Sequence, residues 1–351
     1  MSWIGDIFSG ANSKGAKRIL SRKETGVFEK TAIPESVRRS NCLTKLGCVV
    51  LDGAGRMAVS INGNRGPFHE GIIAGYPLFD LSGEHMVYSA VDSYCYTVSH
   101  DWAEWGPFEG LLKKTPVMSA CGKKCLYVIT EDSREMVMIN GDSAYAIPES
   151  WSAVEGSPCF SDGGDKFALV IENDQLKRAV INGRPEAGQF GWIESFGFFS
   201  PDGSSYAYMG VRSANRVVVL DGSELPYSSA TVPVFAGKYE KPGSASAEAA
   251  ARRVKPCPMA FFVKSDGGHF AVVDGREGKS YKSIITYAPV FNPDWSGVAY
   301  AVEDADGKCF LVEGGREYPK FDEKTFSVRV LDCVSEDRKS TRLNSSHTDI
   351  S

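Results

Sequence analysis

The stretch "SHDWAEWGPFEG" places two carboxylates, Asp101 and Glu104, and three aromatics, Trp102, Trp105 and Phe108, within residues 101–108. Indole faces with carboxylates between them suit a sugar, a cation or a protein surface. The same tryptophans could equally pack against a neighbouring element of the fold. Cys121 and Cys125 in "ACGKKC" are close enough for redox or metal chemistry, yet no second Cys/His pair follows at ligand spacing. Glu303 to Lys308, "EDADGK", begins like a calcium loop but lacks the further carboxylates and distal glutamate of such a site. The histidines are His69, His85, His100, His269 and His347, and neither HExxH, GxSxG nor a phosphate-cradling GxxxxGK[ST] occurs. No catalytic residue, metal or cofactor is therefore expected. Dispersed carboxylates in a central pocket, the arrangement of some glycosidases, keep an enzyme as the alternative, with no spacing rule to choose the pair.

Composition narrows the partners. The chain has 351 residues, 42% hydrophobic and 24% charged, with formal net charge -5. Such a balance is globular and provides no basic field for nucleic acid or an acidic membrane. Nine cysteines, an odd number scattered along a large chain, do not form a secreted disulfide framework. No apolar run reaches membrane-spanning length and no secretory leader is written at the start, so the cytoplasm is expected. Trp3, Ile4, Ile7 and Phe8 could form one apolar face beside basic residues; membrane contact through it is not the expectation.

The elements that would position Asp101 and its neighbours come from a repeat. From Phe199 to the Asp221 of "VVVLDG" is 22 residues. The same interval separates Phe160 from Asn182, Met118 from Asn140, Phe291 from Glu313, and Phe79 from Asp101. A sixth copy runs from Phe235 to Asp274, which is 39 residues, or 22 plus an insertion of 17. A degenerate first copy ending at Asn62 places Ser40 in the anchor position. Each unit predicts an inner strand ending at a buried anchor, a turn, a second strand, a polar turn, an alternating third strand, and an Asp-Gly or Asn-Gly turn into a short edge strand. Four strands in about 40 residues is the period of a propeller blade. The expected fold is all-β: a β-propeller of seven blades, each of four antiparallel strands.

"FSPDG" followed by "AY" and "DG" resembles the WD-repeat-like propellers of the TolB type, over roughly residues 40–321. The full Ser200-Pro201-Asp202-Gly203 occurs once; Asn292-Pro293-Asp294-Trp295 and Ser161-Asp162-Gly163 are near copies. The resemblance implies the blade fold. It leaves function open, because such propellers serve as binding scaffolds, transport accessories and regulatory domains of peptidases.

Three segments stand outside the repeat. Residues 1–36 are expected to be a leader and 37–336 the propeller. The insertion, within 238–258, could form a short helix capped by Ser246, with Glu248 in its first turn and Arg252-Arg253 in its last. It extends a first turn, on the rim that the Asp101–Trp102 turn also occupies. Residues 337–351 resemble a translated sequencing adapter and are expected to be non-native, which leaves a further C-terminal domain open. "FSVRVLD", 326–332, is expected to close the ring on the first unit. The function expected is a non-enzymatic binding or scaffold propeller for a protein or carbohydrate partner, with Asp101, Trp102, Glu104, Trp105 and Phe108 as its contact residues. The alternatives are a propeller enzyme and the regulatory propeller of a peptidase.

Overall fold

A computed structural model describes residues 31–40, 42–80, 82–195, 198–236, 257–292, 295 and 297–319. These residues form seven antiparallel sheets in chain order and contain no α-helix. The chain is a seven-bladed β-propeller. Blade 1 is β1 (Arg38–Arg39), β2 (Leu46–Leu51), β3 (Met57–Ile61) and β4 (Asn64–Arg65). Blade 2 is β5 (Gly71–Phe79), β6 (Met86–Asp92), β7 (Cys95–His100) and β8 (Ala103–Phe108). Blade 3 comprises β9 (Gly110–Leu111), β10 (Val117–Met118), β11 (Cys125–Glu131), β12 (Arg134–Ile139) and β13 (Asp142–Ala146). Blade 4 comprises β14 (Ser152–Ala153), β15 (Cys159–Phe160), β16 (Phe167–Glu172), β17 (Lys177–Ile181) and β18 (Arg184–Pro185). Blade 5 has β19 (Trp192–Glu194), β20 (Ala207–Arg212), β21 (Asn215–Leu220) and β22 (Ser223–Glu224). Blade 6 has β23 (Val234–Phe235), β24 (Met259–Ser265), β25 (Gly268–Val273) and β26 (Arg276–Glu277). Blade 7 comprises β27 (Ser283–Ile284), β28 (Val290–Phe291), β29 (Val298–Glu303), β30 (Cys309–Glu313) and β31 (Arg316–Glu317).

The apparent fifth strand in blades 3, 4 and 7 is an inner strand in two pieces, broken near Pro116, Pro158 and Pro289. Proline has no amide to give the ladder, so pairing lapses there and resumes beyond it.

The second strands of blades 2 to 6 are apolar on both faces because another blade covers each face. In β11, Leu126 and Val128 pack with Leu169 and Ile171 of blade 4. Cys125, Tyr127 and Ile129 pack with Val87 and Val98 of blade 2. Alternation therefore selects a neighbour instead of separating core from water. The third strands depart from the expected alternation. In β21 the first residues are exposed and burial rises toward Val218 and Val219.

Two side-chain devices recur. At the first turn, a buried cap accepts the amide five residues on: Ser40 Oγ from Lys45, Asp80 Oδ1 from His85, Ser119 Oγ from Lys124 and Ser161 Oγ from Lys166. Ser200 Oγ does the same for Ser205, and Asn292 Oδ1 for Gly297. At the third turn, two successive residues take positive φ, as in Asn62–Gly63, Asn140–Gly141 and Asp221–Gly222. That is the backbone of a type I′ hairpin turn.

These devices correct the phase of two units. Ser40 holds the cap position, so Arg39, exposed, occupies the anchor position expected of Ser40. In blade 7 the positive-φ pair is Gly314–Gly315, one residue beyond the expected Glu313. Both units have one residue more in the second turn, Asp52–Arg56 and Asp304–Lys308, where the aspartate Oδ1 accepts the amides two and four residues on. "EDADGK" is thus a turn of this kind.

Ala32 pairs with Val50, and Ser36 Oγ accepts the Val49 amide, so the sheet begins before residue 37. Residues 32–39 thereby occupy the inner edge of β2, the position expected of 326–332. In blade 6 the first-turn backbone bond runs from Ala236 N to Pro258 O instead of spanning five residues. This places all 17 additional residues in that turn. The leader through residue 30, most of the insertion, 326–332 and the tail at 337–351 lie outside the described residues.

Candidate functional site

Ala103–Phe108 is β8, a full edge strand where a short one is expected after the third turn. Asp101 and Trp102 form the turn before it, with φ of 49° and 70°. Trp102 therefore holds a backbone conformation that glycine holds in the other six blades. A strand sends successive side chains to opposite faces, and a register shift between Trp105 and Phe108 returns Phe108 to the face of Trp105, which separates the expected contact residues. Trp102 lies against Gly66 of blade 1, and Glu104 Oε1 accepts the Tyr88 hydroxyl at 3.3 Å on the same side. Trp105 and Phe108 turn toward blade 3, where both contact the ring of Tyr127, Trp105 stacked with centroids 6.0 Å apart. Trp102 is 41% exposed, whereas Trp105 is partly covered. The five residues do not form one patch.

Asp101 keeps the duty its counterparts have, its Oδ1 accepting the Met86 amide at 3.0 Å. Its Oδ2 receives His85 Nδ1 at 2.5 Å and lies 3.7 Å from His100 Nε2. His85, His100 and Asp101 are the one group of three possible metal donors among the described residues. His100 Nε2, however, donates to the Gly122 carbonyl at 2.6 Å, and a nitrogen carrying that proton cannot ligate. The trio is a hydrogen-bond network joining blades 2 and 3.

Cys121 is exposed and Cys125 buried, both free thiols. A hydrogen bond with Ser119 leads the effects that lower the Cys121 thiol, whereas burial raises Cys125. They occupy the turn and the strand of one hairpin.

A concavity of about 450 Å³ opens where the inner strands of blades 2, 3 and 4 reach their first turns. Phe79, Met118 and Phe160 line it with Leu78, Val117 and Ala120. These three anchors were expected to be buried, yet each is only half covered, unlike Phe199, Phe235 and Phe291 in blades 5 to 7. Asp80 and Asp162 also border the space. Both oxygens of Asp80 are engaged, Oδ1 by the His85 amide and Oδ2 by the Ser82 amide and hydroxyl. Burial would raise its pKa, but these hydrogen bonds outweigh it and hold the carboxyl below the usual range. A retained proton, which a general acid requires, is disfavoured there.

A second group was not anticipated from the sequence. His69, Tyr88, Asp92 and Glu104 meet between blades 1 and 2. Burial foremost raises the Tyr88 hydroxyl to about 12. Asp92 is lowered: burial opposes ionisation, but bonds from His69 and the Glu70 amide prevail. Their sequence separations follow no motif, so only the pairing of strands brings them together.

No protein-family model matches this chain. No curated protein matches it in sequence. Among solved structures, a eukaryotic initiation factor is similar at 9% identity and TM-score 0.45, covering 82% of this chain and 78% of that one. TolB from Acinetobacter baumannii is similar at 11% identity and TM-score 0.31, covering 78% and 62%. An acylaminoacyl peptidase of Pyrococcus horikoshii is similar at 12% identity and TM-score 0.32, covering 84% and 53%. The chain thus spans about three-fifths of that TolB and half of that peptidase. These likenesses assign no function to it.

Proposed function

We propose that this propeller is a non-enzymatic binding module that holds a protein partner on the rim of the first and third turns. An apolar side chain of the partner enters the concavity between blades 2, 3 and 4. The observation that carries this reading is the half-covered state of Phe79, Met118 and Phe160 around about 450 Å³ of space. A lining that is mainly apolar favours a hydrophobic anchor over a carbohydrate, which needs more polar partners. Trp102 and Asp101, exposed on the same rim, supply further contacts. The TolB-type resemblance and a cytoplasmic setting belong to the same reading. The engaged state of Asp80 disfavours the enzyme alternative, and nothing in the site favours a peptidase regulator.

The test is selection of a displayed random-peptide library on the protein and on Ala120→Trp, which fills the concavity from a turn position. Selected peptides should share an apolar residue and bind the variant at least tenfold more weakly. Peptides that bind both proteins equally, or a selection that yields only oligosaccharide binding on a parallel array, would refute the reading.

A further inference from the structure

His69 bridges Met57 at the outer edge of blade 1, just before β5 begins. Its Nδ1 lies 2.6 Å from Asp92 Oδ2. An ionised carboxylate only accepts, so Nδ1 carries a proton and donates it. The side chain is 7% exposed, and its Nε2 has no hydrogen-bond partner among the described residues. That nitrogen faces Glu104 Oε1 at 3.6 Å, the same oxygen that accepts the Tyr88 hydroxyl.

A buried lone pair directed at a carboxylate oxygen needs positive charge between the two. A proton on Nε2 would supply it, but a charge-assisted N–H···O⁻ bond draws its atoms to about 2.7–2.9 Å. The observed gap is wider than that. Two donors each about 2.0–2.1 Å from one tetrahedral zinc ion stand about 3.3–3.4 Å apart, nearer to the observed separation. The second nitrogen of a zinc-binding histidine characteristically donates to a carboxylate, which fixes the tautomer and turns the lone pair toward the metal. Asp92 stands in that relation to His69. Imidazole with a carboxylate is a donor pair suited to zinc.

We propose that His69 Nε2 and Glu104 Oε1 bind a divalent transition metal, zinc by donor type, with the Tyr88 hydroxyl and water on its oxygen side. Because His69 comes from the edge of blade 1 and Glu104 from β8, the ion ties the first two blades together.

The test uses the full chain, titrated with zinc by calorimetry and followed by Tm, with cobalt(II) as a spectroscopic probe. One ion per chain should bind and raise Tm, since the metal stabilises the state in which both donors are assembled. Glu104→Gln, at a partly exposed position, and His69→Gln should each weaken binding at least tenfold, while His85→Gln should leave it unchanged. The cobalt complex should show no thiolate charge-transfer band. Absence of heat and of a Tm rise at millimolar zinc would overturn the proposal. So would unchanged binding by Glu104→Gln, loss in His85→Gln instead, a thiolate band, or ¹⁵N spectra showing both His69 nitrogens protonated in zinc. If His69→Gln fails to fold, Glu104→Gln and the His69 spectra decide the matter.

Discussion

Trp102 seats its ring over Gly66, where an added β-carbon would stand 2.8 Å from Trp102 Cζ3 and 3.0 Å from the Tyr88 hydroxyl. Gly66 therefore serves the indole of the next blade and not its own turn. Gly66→Ala should displace Trp102 and change its fluorescence, at a cost of about 1–2 kcal/mol from overpacking. Trp102→Gly removes a bulky side chain from a positive φ while losing this contact, so the two effects oppose. Its net change in urea stability should stay within about 1 kcal/mol. A larger loss would mean that Trp102 is chiefly a structural residue of the seam.

Gly141 and Gly315 share a positive φ but not their surroundings. A β-carbon on Gly141 would lie 2.4 Å from Trp105 Nε1, whereas one on Gly315 meets nothing within 4 Å among the described residues. Gly315→Ala should cost only the conformational strain, about 1–2 kcal/mol. Gly141→Ala should cost more and move Trp105 off Tyr127, read as an altered Trp emission. Equal costs would show that the stacking of Trp105 on Tyr127 contributes little.

Asp80 is the carboxylate version of a cap that is serine in four other blades. Its folded pKa lies below the 3.8 of the free side chain. Its charge therefore stabilises the fold fully above about pH 4, and that contribution is lost as pH falls through the lower folded value. Asp80→Asn retains an acceptor for the His85 amide, as Asn292 does for Gly297. The difference in stability between wild type and Asp80→Asn should hold from neutral pH down to about pH 4 and shrink below it. Asp80→Ala, which leaves the amides without an acceptor, should cost about 1–2 kcal/mol at pH 7. A pH-independent difference would remove the carboxylate from this role.

Excision of residues 238–254 restores the five-residue span between Ala236 N and Pro258 O found at the other first turns. Circular dichroism should be unchanged, and stability should shift by less than about 1 kcal/mol, because loop length carries a small entropic cost. Collapse of the fold would mean that the insertion packs into the blade.

Blade number and most of the phase were legible in the residues, because strand alternation and turn chemistry are local. An Asn-Gly or Asp-Gly pair at a fixed distance from an anchor specifies a hairpin wherever it occurs. The two misplaced positions, Ser40 for Arg39 and Glu313 for Gly314, have the same origin. A one-residue lengthening of the second turn leaves no mark on either flanking pattern, and only the backbone pairing exposes it. The candidate site was legible as a departure from the repeat at Trp102 but not as an arrangement. Side-chain direction in β8 depends on that segment pairing as a strand, which sent Glu104 toward blade 1 and Trp105 toward blade 3. The half-covered anchors and the meeting of His69, Asp92 and Glu104 depend on how complete blades pack together. Contacts between blades join residues far apart in the chain, and the fixed spacing that announces a turn has no counterpart for them.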